Sequence, residues 1–371
     1  MPKKDLTDTL GDEPHASDAY AVPPDRYAGR EILSLPEDPA ARVPKLPVDE
    51  AMAAFERMRS GAVTAIPLPW EGLEQRLAGG GLLEHSTTIL VGGTGAGKTQ
   101  FSLQMAMYAA QHGTAVLYVA LEADPPELVA RCHSVLNPDL YFSRIITGKQ
   151  EPTSEAVETL RKLPFHAIFP TPSLFNLEGE EGLRAAVKGM CEMYPNQPIL
   201  CVVDFLQLVG PPKDGPRADI RERVSDVAYG ARDMARDTPN LSMLLVSSTA
   251  RDNLAHLAPG GRDGQGFGTG DAYRFVAMGK ETGDIENCAT AVLVLGRTGP
   301  QKPEGTPMAV AIAKQRLGQT GWLQVVYDGR TFVESDDQLM QDATDEHLAQ
   351  GGAPDVYTVP RKSRSRRGKK T

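Results

Sequence analysis

VGGTGAGKTQ, residues 91–100, decides how the rest of this chain is read. Gly92-Gly93-Thr94-Gly95-Ala96-Gly97-Lys98-Thr99 fits the spacing G-x-x-x-x-G-K-[ST] at every position. Glycines let a backbone curl until successive N–H groups point inward at phosphate oxygens. The helix that opens at such a loop adds the positive end of its dipole. The stretch before the loop, TTILV, is a strand pattern, and the stretch after it, TQFSLQMAMYAAQHG, is a helix pattern ended by Gly113. Motif and setting therefore agree on a phosphate-binding loop. In such a loop Lys98 reaches the β- and γ-phosphates of a nucleotide and the Thr99 hydroxyl ligates Mg²⁺. The nucleotide-contacting set is read as Gly92, Gly93, Thr94, Gly95, Ala96, Gly97, Lys98, Thr99 and Gln100.

Outward from the loop, strand, loop and helix patterns alternate. AVLYVAL (115–121), ILCVVD (199–204), SMLLVSS (242–248), ATAVLVL (289–295) and MAVAIAK (308–314) are continuous apolar runs rich in β-formers. Runs of that kind are strands covered by helices on both faces, which makes the fold α/β with a mostly parallel central sheet. Residues 252–283 are too glycine-rich for a core element and read as a long mobile loop. Ahead of the core, Val48, Met52, Phe55 and Met58 recur at helical spacing. Residues 1–47 have the composition of a disordered segment, and after Glu334 the chain turns polar.

Phosphoryl transfer needs a second magnesium partner and a group that orients water. Asp204 ends the strand ILCVVD, where an acid can hold the metal. Glu122 ends another strand, where a carboxylate can polarise the attacking water. The residues after it have a structural use: Asp124 as N-cap, Pro125 at the first helical position and Glu127 at the third. Glu122 is thereby left free for chemistry.

Composition narrows the rest. The 371 residues carry a net charge of −9, unevenly spread. Residues 361–371, RKSRSRRGKKT, hold seven Lys/Arg and no acid, leaving 32 basic against 48 acidic residues elsewhere. An acidic body with a basic tail is an arrangement suited to contact with phosphates. The cysteines 132, 191, 201 and 288 form no CxxC pair, which argues against a metal site. The N-terminus has no apolar run after its lysines, so it is not a secretion signal. No segment has the about 18 apolar residues of a membrane span. The chain reads as cytoplasmic.

GGTGAGKT, LEADPPELVAR, VVDFLQLV, VSSTAR, KETGDIENCATAVLVL and AIAKQRLGQTG occur in the order and spacing of the ATPase domain of bacterial replicative DNA helicases. Over about residues 48–332 the chain resembles this DnaB family, including GAVTAIPLPWEGL as its linker and entry segment. The resemblance implies a RecA-like P-loop NTPase fold over residues 71–335, entered through residues 48–70, with tails 1–47 and 336–371. It implies ATP and Mg²⁺ as cofactors, Glu122 as the catalytic glutamate and Asp204 as the Walker B aspartate. Lys314 and Arg316 match the pair that reaches the γ-phosphate from a neighbouring subunit, which implies a homo-oligomer, a hexamer in this family. The loops after Leu208 and at 252–283 match those facing the central channel, where Lys213, Arg217 and Lys280 would track single-stranded DNA.

Two features depart from the family. Ser248 stands where family members carry glutamine, and the 47 leading residues are fewer than the about 100 of an additional helical domain. The resemblance is to the motor domain. A RecA-like recombination or repair ATPase that assembles on DNA without unwinding it is the first alternative reading. An ATP-dependent oligomeric regulator of protein partners is the second.

Overall fold

The computed structural model describes Met52, Glu56 and residues 65–335, apart from 138, 173–174, 211–218, 250–266, 269, 279–283 and 304. The segment 1–47, the tail 336–371, Lys213, Arg217 and Lys280 lie outside the described residues, as do Val48, Phe55 and Met58. Met52 and Glu56 are both helical and belong to a separate unit, residues 1–59.

The larger unit is built on one nine-stranded sheet. In chain order its strands are β3 (Ser86–Gly92), β4 (Ala115–Ala120), β5 (Phe165–Ile168), β6 (Ile199–Asp204), β7 (Leu241–Ser248), β8 (Ala291–Arg297), β9 (Thr306–Gln315), β10 (Gly321–Tyr327) and β11 (Phe332–Glu334). A two-stranded antiparallel pair, β1 (Ala65–Ile66) and β2 (Leu82–Leu83), precedes them. Across the sheet the order is β11-β10-β9-β8-β3-β7-β6-β4-β5. The six strands from β8 to β5 are mutually parallel, and β9, β10 and β11 extend them antiparallel. The sheet is thus mostly parallel, as the apolar runs predict. β3, β4 and β6 are buried at every position, which is what helices on both faces require.

Alternate residues of each strand feed two cores. Ile89, Val91, Leu117, Val119, Cys201 and Val203 face helices at Leu183–Met193 and Ile220–Asp237. Leu90, Val116, Tyr118, Leu200 and Val202 face the helices Lys98–Gln111 and Pro125–Leu136. Asp124 caps the second of these by accepting a 2.9 Å bond from the Glu127 N–H, with Pro125 in the first helical position, as the sequence predicts. Among the described residues no helix is long and apolar enough to cross a membrane.

Three segments distant in sequence meet on the second face. Trp70, in the entry segment, stacks on Phe101 with ring centroids 4.0 Å apart. Phe101 meets Phe332 of β11 edge-on at 5.1 Å. Main-chain groups of Phe332 are held from both sides. Its N–H donates to Gln104 Oε1 at 2.8 Å, and its carbonyl accepts from Gln104 Nε2 and Trp70 Nε1, each at 2.9 Å. The last strand is thereby fastened to the helix that follows the glycine loop.

Part of the glycine-rich 252–283 stretch does enter the core, against expectation. Phe267 and Phe275 are buried and pack edge-on with Trp322, with centroids 5.0–5.4 Å apart. A 3₁₀ turn at Ala272–Met278 carries Phe275 there. The glycine content hides a small aromatic cluster.

Removing the Phe332 ring empties the centre of this fastening. Phe332→Ala should cost about 3–5 kcal/mol of stability, as expected of a buried aromatic. Denaturant titration measures it, and a loss below about 1 kcal/mol would contradict the role assigned to Phe332.

Candidate functional site

The helix α1 (Lys98–Gln111) starts from a residue that no L side chain would favour. Its N-cap Gly97 has φ 86°, Gly95 has φ 73°, and no side chain caps the helix. A helix N-terminus leaves its first N–H groups without intrahelical partners. Here they belong to a glycine loop at the C-terminal edge of the sheet, the edge where ligands bind in open α/β folds. Lys98 is partly buried and donates to the Gly93 carbonyl at 3.1 Å. Burial lowers its ammonium pKa, while the charges of Asp204 and Glu122 pull it back up. The cation and both strand-end acids of the sequence reading are thus in one electrostatic neighbourhood.

Asp204 is 2% exposed and forms the end of β6. Its Oδ2 accepts a 2.9 Å hydrogen bond from the Tyr118 hydroxyl, and the Thr99 hydroxyl bonds the same carboxylate. Burial pushes the Asp204 pKa above the usual carboxylate range, against the pull of those two hydrogen bonds. Glu122, two residues beyond β4, is exposed, as a group that must reach water should be. Gln100 is different. Its side chain is buried and bonds the Arg330 carbonyl at 2.6 Å, while Arg131 donates to its Oε1 at 3.1 Å. That side chain joins the helix to the β10–β11 turn.

Lys314 and Arg316 lie elsewhere. The Arg316 N–H bonds the Thr290 carbonyl, and the Thr290 N–H bonds that of Thr87, at the starting end of β3. The glycine loop leaves the other end of β3. Five residues of strand separate the two levels, roughly 16 Å. Arg316 is exposed and donates to the Asn287 carbonyl at 2.8 Å, and Lys314 donates to the Glu286 carbonyl. Both acceptors are on the short helix Asp284–Cys288. The structure therefore brings together the glycine loop, Glu122 and Asp204, and keeps Lys314 and Arg316 apart from the loop of their own chain.

A sequence profile described as "DnaB-like helicase C terminal domain" matches residues 66–334. The chain belongs to this DnaB-like helicase family. It is accordingly an ATP-hydrolysing helicase motor domain of RecA-like fold. Among solved structures, it is similar to a separately solved ATPase domain, at TM-score 0.63 and 18% identity, over 79% of this chain and 100% of that one. It is also similar to a DnaB-like replicative helicase studied with primase, at TM-score 0.61 and 17% identity, over 78% of this chain and 67% of that one. At those identities the likeness is one of fold. No curated protein matches the chain in sequence.

Two residues of this DnaB-like site escape sequence reasoning. Tyr118 is the only aromatic residue in the run AVLYVAL, a signal that was there to be read. Gln207, just past β6, donates to Ser247 Oγ at 2.8 Å and accepts from the Ser248 N–H at 3.4 Å. It links the end of β6 to the end of β7, where Ser248 replaces the family's glutamine.

A methyl group tests the loop geometry. A Cβ on Gly95 would meet nothing within 4 Å, whereas one on Gly97 would stand 2.9 Å from the Phe332 ring. Gly95→Ala should therefore cost only the left-handed backbone penalty, about 1–2 kcal/mol. Gly97→Ala should cost that and a displaced aromatic ring as well. Thermal unfolding of the two variants compares them, and equal losses would contradict the packing of Phe332 against the loop.

Proposed function

We propose that this chain assembles into a homo-oligomeric ring, a hexamer, and moves along single-stranded DNA by hydrolysing ATP. The motor comprises residues 71–335, with residues 48–70 as its linker and entry segment. Gly92 to Gln100 bind the nucleotide phosphates through the loop and helix N-terminus, and Lys98 neutralises the β- and γ-phosphate charge. Thr99 and Asp204 would hold Mg²⁺, which when bound supplies charge neutralisation between the phosphates. The donors fit that ion: a hydroxyl and a buried carboxylate already in contact are hard oxygen ligands. Glu122 orients and deprotonates the attacking water from its exposed position beside the loop.

One observation carries the oligomeric reading. Within a chain, Lys314 and Arg316 are separated from the glycine loop by the length of β3, which is farther than either side chain extends. Cations so placed serve a loop only across a subunit boundary. In trans they would neutralise charge as the γ-phosphoryl transfers, and hydrolysis would become sensitive to how subunits are arranged. Lys213, Arg217 and Lys280 are assigned to the DNA-facing loops by their place in the sequence. The basic tail at 361–371 adds a second phosphate-binding segment.

Subunit mixing tests the trans role. Arg316→Ala and Lys98→Ala should each be folded and nearly inactive alone, Lys98→Ala through lost nucleotide binding. Mixed under proven subunit exchange, they should regain part of the ATPase rate, because some junctions pair an intact loop with an intact Arg316. Absence of any rescue would remove the trans assignment. Glu122→Gln should bind ATP as the native chain does and hydrolyse it orders of magnitude more slowly, read by single-turnover kinetics.

A further inference from the structure

Tyr118 occupies a position where packing alone asks for an aliphatic residue or phenylalanine. It sits in the middle of β4, is fully buried, and has Val116, Leu200 and Val202 for company in the same core. A hydroxyl carried into such a place is costly unless it is hydrogen-bonded. This one has two partners: Asp204 Oδ2 at 2.9 Å and Ser102 Oγ at 3.0 Å.

Proton counting sets the direction of the chain of bonds. An ionised carboxylate only accepts, so the single phenolic proton goes to Asp204. Ser102 then directs its own proton to the Tyr118 oxygen or to the Thr99 carbonyl, 3.1 Å away. Ser102 and Thr99 both belong to the helix after the glycine loop, Tyr118 to β4 and Asp204 to β6. The three elements that make the nucleotide site are therefore joined by one small buried network, on the side of Asp204 away from solvent. Burial, followed by the charge of Asp204, holds the phenol pKa well above its ordinary range, so Tyr118 remains a donor.

We infer that Tyr118 is a positioning residue that fixes the Asp204 carboxylate in the orientation needed to hold the nucleotide-associated divalent cation. This rests on the reading of Asp204 given above and extends it to a residue that touches neither nucleotide nor metal. Carboxylates that serve a metal are commonly held by such outer hydrogen bonds, and loss of one typically costs about 10–100-fold in metal affinity or activity. The network also gives Ser102 a part: it holds the Tyr118 oxygen from the loop helix, so the loop and the carboxylate keep a fixed relation.

Equilibrium binding separates this role from a structural one. The full chain and its Tyr118→Phe and Asp204→Asn variants are titrated against fluorescent mant-ADP, once with Mg²⁺ and once with EDTA. Tyr118→Phe keeps the ring and should leave affinity in EDTA within about twofold of the native chain. The gain in affinity on adding Mg²⁺ should shrink by about tenfold. In the ATPase assay the half-saturating Mg²⁺ concentration should rise, with kcat recovering at high Mg²⁺. Ser102→Ala should move both readouts the same way by a smaller factor. If Tyr118→Phe responds to Mg²⁺ as the native chain does while Asp204→Asn does not, Tyr118 has no positioning role and the Asp204 reading stands. If Asp204→Asn also keeps the native Mg²⁺ response, the reading of Asp204 falls and this inference with it. An equal loss in EDTA and Mg²⁺ for Tyr118→Phe would mark a damaged site and overturn the inference as well.

Discussion

A carboxylate in a dry place depends on its neighbours, and Asp204 is the one around which this structure is arranged. It closes a strand buried at all six positions and is itself 2% exposed. A charge there persists only where donors or a cation face it. Two hydroxyls do, from β4 and from the helix that follows the glycine loop. Lys98 contributes its charge from the same helix. Moving the loop, the helix or β4 relative to β6 would leave that carboxylate short of partners. Its needs therefore hold the elements of the nucleotide site in register.

The second constraint acts from the far end of the chain. Phe332 rests against Gly97, and its main-chain groups are taken by Gln104 and Trp70. The antiparallel strands β9–β11 thus do more than widen the sheet. They back the glycine loop with an aromatic ring and fasten the entry segment to the same helix. Gln100 adds a further tie, to the turn at Arg330. A loop that must curl through left-handed glycines is in this way supported by residues more than 200 positions away in sequence.

Local signals were legible and distant partnerships were not. The glycine loop, the strand-end acids and the Asp124 cap each follow from short patterns whose physics is complete within a few residues. The apolar runs located β4, β6 and β7 closely, while β8 begins two residues later than its run because Ala289 and Thr290 precede the first ladder pair. Gln104 reads as an ordinary polar helix residue until β11 is seen beside it. Phe267 and Phe275 were hidden by surrounding glycines, since their partner, Trp322, lies on β10. Tyr118 could have been singled out as the one aromatic in an aliphatic strand, but its partner Asp204 is 86 residues on.

A motor of this kind ties its ATP chemistry to a strand of DNA. The most direct measurement is the steady-state ATPase rate of the full chain with and without single-stranded DNA, at matched salt. Single-stranded DNA should stimulate the rate several-fold, and the stimulation should weaken as salt rises, because the contacts are to phosphates. A rate unchanged by single-stranded DNA at every salt concentration, in protein that binds and hydrolyses ATP, would contradict the proposed coupling.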